Sequence, residues 1–161
     1  MTSLLKRLIR EDRGAAIVEA TIVLPLLLTL GFGVLQFSNA FYDHQQITTG
    51  IRDAARYLAR VPNPNNGAAQ ANAQNLAVYG NIGGTGPARV PAWTIGQVTP
   101  TITTVANPSA ATGNLTLRGP DPLTIIVVSA AVPYPGLGFL TYLGLASPTI
   151  NITHSERWIG G

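Results

Sequence analysis

The sequence predicts an α+β protein: a long N-terminal helix that crosses a membrane and runs on as a stem, a second short helix, and a small antiparallel sheet. Three observations carry this. Residues 15–37 form an apolar run interrupted by a single acid, and the stretch to residue 60 keeps apolar positions three or four apart. From Ala92 the preferences shift to Val, Ile, Thr and aromatic residues divided by Gly and Pro. A chain of 161 residues holds one modest domain besides such a membrane segment, which argues against a large enzyme.

The first helix is the best defined. Residues 15–37, AAIVEATIVLPLLLTLGFGVLQF, would rise about 34 Å as a helix at about 1.5 Å per residue. That exceeds a hydrocarbon core of about 30 Å. Charged residues make up 11% of the chain against 46% hydrophobic, and from Gly14 to Tyr42 the ionisable side chains are Glu19 and Tyr42 alone. A secretory signal peptide is a poorer fit, because its apolar region is usually about 7–15 residues and closes at a small-residue cleavage site. Here the run passes through Gln36 and Phe37 into further helical pattern.

The net charge of +3 does not point to nucleic acid once the charges are located. Lys6, Arg7, Arg10 and Arg13 precede the apolar run, where a short basic tail marks the cytoplasmic side. Beyond Phe37, Arg52, Arg56, Arg60, Arg89, Arg118 and Arg157 are set against Asp43, Asp53, Asp121 and Glu156, too mild a balance for a phosphate-binding face. Cysteine is absent, so disulfides, thiolate catalysis and Cys-based zinc sites are excluded.

Glu19 requires an explanation, since an acid inside a membrane helix costs about 2.5–3.5 kcal/mol on insertion scales. Proximity to the cytoplasmic interface, six residues after Arg13, is one. The run Arg13-Gly14-Ala15-Ala16-Ile17-Val18-Glu19 offers another. Cleavage after Gly14 would give Ala15 a free cationic amine one helical turn from the carboxylate, in the same subunit or a packed neighbour. Pairing between neighbours would specify register, because a displaced subunit leaves buried charges unpaired.

A basic leader ending in Gly, a small residue after it, Glu at mature position five and a long apolar helix together resemble the class III signal of type IV pilin-like proteins. Within that superfamily, RGAAIVEATIVLPLLLTLGFGVLQF is similar to the TadE-like pseudopilins of the tight-adherence (Tad/Flp) pilus, Pro25 included. The major Flp pilin is similar at the cut but carries Glu-Tyr and ends soon after its helix, whereas this chain has Glu19-Ala20 and more than a hundred further residues. TadG-like relatives can carry an Asp-x-Ser-x-Ser metal motif, which none of the four Asp residues here begins.

The resemblance implies a minor pseudopilin of the inner membrane, processed by a membrane aspartic prepilin peptidase at Gly14 and Ala15. It also implies a role in pilus biogenesis and adhesion, with Glu19 used in assembly. Expected partners are other pilins or pseudopilins, the Tad assembly machinery and the peptidase; no cofactor, nucleic acid or small-molecule substrate is expected. An uncleaved single-pass membrane protein whose exported domain binds an envelope or partner protein is the alternative.

The boundaries expected are a basic cytoplasmic leader at 1–14, a transmembrane helix at 15–37, a helical stem at 38–60 and a periplasmic α+β domain at 61–161. On the stem, Phe37, Phe41, His44, Ile47, Ile51, Ala54 or Ala55, and Leu58 form one apolar stripe, and Arg52, Arg56 and Arg60 lie four apart on another. TadE-like chains often carry an Arg-rich segment here, so these arginines are candidate partner contacts beside the plainer reading of a solvated face. His44 reads as a boundary or core histidine, and Pro25 as either a tolerated membrane proline or a functional bend.

Val61-Pro62-Asn63-Pro64 ends the stem, and residues 66–79 predict a second helix closed by Gly80. The Gly- and Pro-rich NIGGTGPARVP is a loop. Strand signals follow at Trp93, Ile95 and Val98, then 101–105, with Pro100 marking an edge or a bulge between them. Further strands are expected at 115–118, 123–132 and 147–159, with a turn over 107–114. The apolar segment 136–146, GLGFLTYLGLA, is too short to span a bilayer and predicts a buried short helix or an exposed loop. No zinc-protease, P-loop, nucleophile-elbow or Rossmann signature occurs, and His154, Ser155 and Glu156 are adjacent in a way that seldom builds a triad. Catalysis is not expected.

Overall fold

The computed structural model describes residues 12–107 and 122–160, and the strand expected at 115–118 lies outside them. Helix α1 is Asp12–Leu58, α2 is Gly67–Tyr79, and a 3-10 turn at Ile95–Gln97 leads into strand β1, Val98–Val105. Strand β2 is Leu123–Pro133, α3 is a single turn at Phe139–Tyr142, and β3 is Thr149–Arg157. The chain divides into two units, Met1–Asn39 and Ala40–Gly161. The fold is α+β, as the sequence predicts.

In the first unit α1 is helical through Pro25. Its hydroxyls are satisfied locally: Thr21 Oγ1 donates to the Ile17 carbonyl at 2.7 Å and Thr29 Oγ1 to the Pro25 carbonyl at 2.8 Å. Ile17, Ile22, Leu26, Leu30 and Val34 are all more than half exposed, a surface that suits hydrocarbon rather than water. Gly14–Leu58 is the one helix among the described residues long and apolar enough to cross a membrane.

In the second unit the sheet has the order β1-β2-β3, both pairings antiparallel. One face alternates inward: Val98 on β1; Ile126, Val128, Ala130 and Val132 on β2; and the half-buried Ile150 and Ile152 on β3. It closes over Ile47, Ile51, Ala54, Ala55 and Leu58 of α1 and over Ala73, Ala77 and Val78 of α2. The stem is thus the spine of this unit's core.

Helix α2 is defined by its ends. The Asn66 side chain accepts from the Ala68 N–H at 2.9 Å, and Gly80 takes the left-handed conformation at φ 74° with its N–H on the Leu76 carbonyl. The close crossing of α1 and α2 needs Gly50, where a Cβ would run into the Ala77 carbonyl and lie 2.7 Å from Trp93 Cη2.

Two sequence expectations are corrected and one open alternative is decided. Trp93 and Ile95 are not strand residues: Trp93 is a buried plug over Gly50 and Ile95 sits exposed in the 3-10 turn, while the strand begins at Val98. Of the two readings of Pro100, the edge holds and the bulge does not: β1 is an outer strand, where a proline can turn its missing donor away from the ladder, and Pro100 pairs with Val128 in continuous register. Phe37, Phe41 and His44 are exposed rather than part of the core stripe. The covered face of α1 runs instead through Asp43, Ile47, Gly50, Ile51, Ala54 and Leu58, since packing selects a straight face of the 3.6-residue helix. The segment 136–146 forms the α3 turn and its flanks, largely exposed.

Candidate functional site

The residues proposed for processing lie together at the start of α1. Gly14, Ala15 and Glu19 are all exposed helical residues, and a Cβ on Gly14 would meet nothing within 4 Å. Ala15 and Glu19 are four positions apart, so one helix face carries both, and downstream the helix is uncharged as far as Asp43. The segment therefore exposes the Gly14–Ala15 peptide and carries one carboxylate about a helical turn beyond it.

A second cluster gathers at the other end of α1. Arg52, Arg56 and Arg60 are all exposed, the first two on the last turns of α1 and Arg60 just past its end. Arg56 and Arg60, with Asp53, Tyr57, Val61 and Leu76, line an open groove of about 530 Å³; Arg52 is not part of it. Arg56 Nε lies 3.7 Å from Glu156 Oε1, a loose and well-solvated pair. Among the described residues neither Arg52 nor Arg60 has a carboxylate partner. The groove is cationic with an aromatic wall, since its one acid is already engaged: Arg89 Nη2 binds Asp53 Oδ2 at 2.8 Å. Sequence reasoning missed that Asp53–Arg89 clamp, because 36 residues separate the partners and no local spacing signals it.

The rest of this end is held by the C-terminus. Trp158 Nε1 donates to the Val61 carbonyl at 2.9 Å, and the Ile159 N–H donates to the Ala59 carbonyl at 3.0 Å. His154 and Glu156 share one face of β3, with Nε2 and Oε1 3.0 Å apart, while Ser155 points to the opposite, exposed face. No nucleophile–base geometry exists there. Among the described residues no group of three metal-ligating side chains converges. Burial in the covered face of α1 pushes the Asp43 carboxyl above its ordinary range.

Residues 14–56 match the sequence model of the family described as TadE-like protein, a span that covers both arginines Arg52 and Arg56 and the whole apolar helix. No curated protein and no solved structure matches the chain. The segment that carries Gly14, Glu19 and the membrane-type helix is thus similar to TadE-like proteins, whereas residues 57–161 lie outside the match.

Proposed function

We propose that the chain is a minor pseudopilin of a tight-adherence pilus, held in the inner membrane by residues 15–37 with its tail cytoplasmic and residues from 38 onward periplasmic. A prepilin peptidase cleaves after Gly14, and the mature subunit takes part in pilus biogenesis and adhesion. The observation that carries this reading is the accessible Gly14–Ala15 bond with Glu19 one turn beyond, on a helix otherwise uncharged to Asp43. Assembly draws on two contacts. Glu19 neutralises the new amine of Ala15 on its own or a neighbouring helix, and the Arg56–Arg60 groove, with Arg52 one turn earlier on α1 than Arg56, receives an acidic segment of another pilin or of the assembly machinery.

N-terminal sequencing of the mature protein tests the cut. The expected first residue is Ala15; a chain beginning at Met1, with Gly14→Ala unchanged in size and function, would establish the uncleaved alternative. Glu19→Ala is expected to be processed but poorly incorporated, because the helix inserts more readily and loses its charge partner. Normal incorporation of that variant in sheared pili would refute the pairing.

A further inference from the structure

We propose that the connection between β2 and β3, residues 134–148, is a second membrane contact that lays an apolar tip on the lipid surface. The proposal rests on the reading of residues 15–37 as a membrane span.

The tip is built, not loose. The Tyr134 N–H donates to the Pro148 carbonyl at 2.9 Å and closes its base. The Leu143 N–H reaches the Phe139 carbonyl at 3.1 Å and the Leu145 N–H the Leu140 carbonyl at 2.8 Å. Gly136, Gly138 and Gly144, all at positive φ, supply the reversals. What this frame presents is apolar: Leu137 is 61% exposed, Tyr142 84%, Leu143 46% and Leu145 54%. A contiguous patch of this kind on an exported domain marks a contact surface.

Its position follows from two rungs within the second unit. At one end of β3, Trp158 and Ile159 are bound to Val61 and Ala59, the end of α1. Further back, Ile152 pairs with Ala130, which pairs with Val98, whose carbonyl accepts from Gln74 Nε2 of α2 at 2.9 Å. One turn along α2, Ala77 packs on Gly50. Moving from residue 158 to residue 152 therefore moves from the level of residue 60 of α1 towards the level of residue 50. Thr149 and the tip continue that direction, towards Ala40, where the chain enters the domain.

Charge selects lipid as the occupant. Residues 122–153 contain no Asp, Glu, Lys, Arg or His, so the tip brings no ion to be desolvated and no salt-bridge partner for a protein surface. Arg52 and Arg56 lie at the far end of this unit's helix, and Arg60 just beyond it. Leucines with a highly exposed tyrosine fit the headgroup–acyl boundary, which accepts aromatic rings and aliphatic chains without specific pairing.

The absence of native cysteine makes a direct test clean. The full chain carrying Tyr142→Cys or, separately, Leu145→Cys is labelled with a polarity-sensitive fluorophore and reconstituted in vesicles of phosphatidylethanolamine and phosphatidylglycerol. Thr153→Cys, on the exposed face of β3, is the aqueous reference, and Val23→Cys reports the membrane span. The expected result is blue-shifted emission from both tip labels, quenching by brominated lipid, and iodide quenching several-fold weaker than at residue 153. Iodide quenching equal to that at residue 153, with Val23 shielded, overturns the tip contact while leaving the span intact. Shielding that vanishes at one chain per vesicle also overturns it, assigning the tip to a second copy. A Val23 label open to iodide overturns the span itself.

Discussion

Gly50 shows how much a single residue without a side chain controls in this domain. Alanine would ordinarily favour the helix by about 1 kcal/mol over glycine. Here the added methyl meets a backbone carbonyl and the ring of Trp93, neither able to yield far, and overpacking of that kind costs about 1–3 kcal/mol. Gly50→Ala is expected to lower the thermal midpoint, whereas Gly67→Ala, with open space around its Cβ, is expected to leave it unchanged or raise it; thermal melts of the two variants check this. Asp43 works through its proton. Its folded carboxyl is held above the ordinary value by burial, so the folded state binds that proton more tightly than the unfolded chain does. Its contribution is then fully present at low pH and lost as pH rises through the folded value. Asp43→Asn is therefore expected to be more stable than the parent at pH 7, with the gap closing below about pH 4, where carboxylates are protonated in both states. A gap that widens on acidification in melts across that range would count against the burial argument.

Among the elements, α1 and β3 are joined at their C-terminal ends by the last residues of the chain. Trp158 fixes β3 to Val61 through its indole N–H and is half-buried against the core. Trp158→Phe keeps most of the apolar contact and deletes the donor, which leaves the Val61 carbonyl to water and is expected to cost about 0.5–1.5 kcal/mol in urea unfolding. The salt bridge beside it behaves differently. Arg56 and Glu156 are solvated at 3.7 Å, and Arg56→Ala is expected to change stability by less than about 0.5 kcal/mol while weakening subunit incorporation. A large stability loss in that variant would mean that Arg56 is structural and not a docking residue. Of these elements, α2 was the most legible in the sequence, because Asn66 and Gly80 are local caps whose chemistry acts within a few residues. The 3-10 turn at Ile95 was not. A short run of apolar and aromatic residues has no period to separate strand from turn, and the burial of Trp93 against Gly50 decided it.

For the whole molecule, the stem and the domain are one folding unit. The core residues Ile47, Ile51, Ala54, Ala55 and Leu58 come from α1, so a chain beginning at residue 61 lacks one wall of its own interior. Such a fragment is expected to show no cooperative melt by circular dichroism, while a chain beginning at Ala40 retains one. A cooperative melt from residues 61–161 alone would show that α1 is dispensable to the core.

The sequence by itself determined the membrane-type helix, the glycine and acid at its head, the second helix and the central strand. Each of these is encoded by neighbours within a few residues: an uninterrupted apolar run, a cap, or a Val- and Ile-rich stretch. Only the tertiary structure decided which face of the stem is covered. Phe37 and Phe41 are as apolar as Ile47, and nothing local says that the domain closes over Asp43 and Ile47 instead. It also decided that Asp53 belongs to Arg89, that Trp93 fills the notch at Gly50, and that 136–146 stays outside the core. Those outcomes depend on residues far apart in the chain meeting in space, where packing and desolvation, summed over the fold, outweigh any local preference.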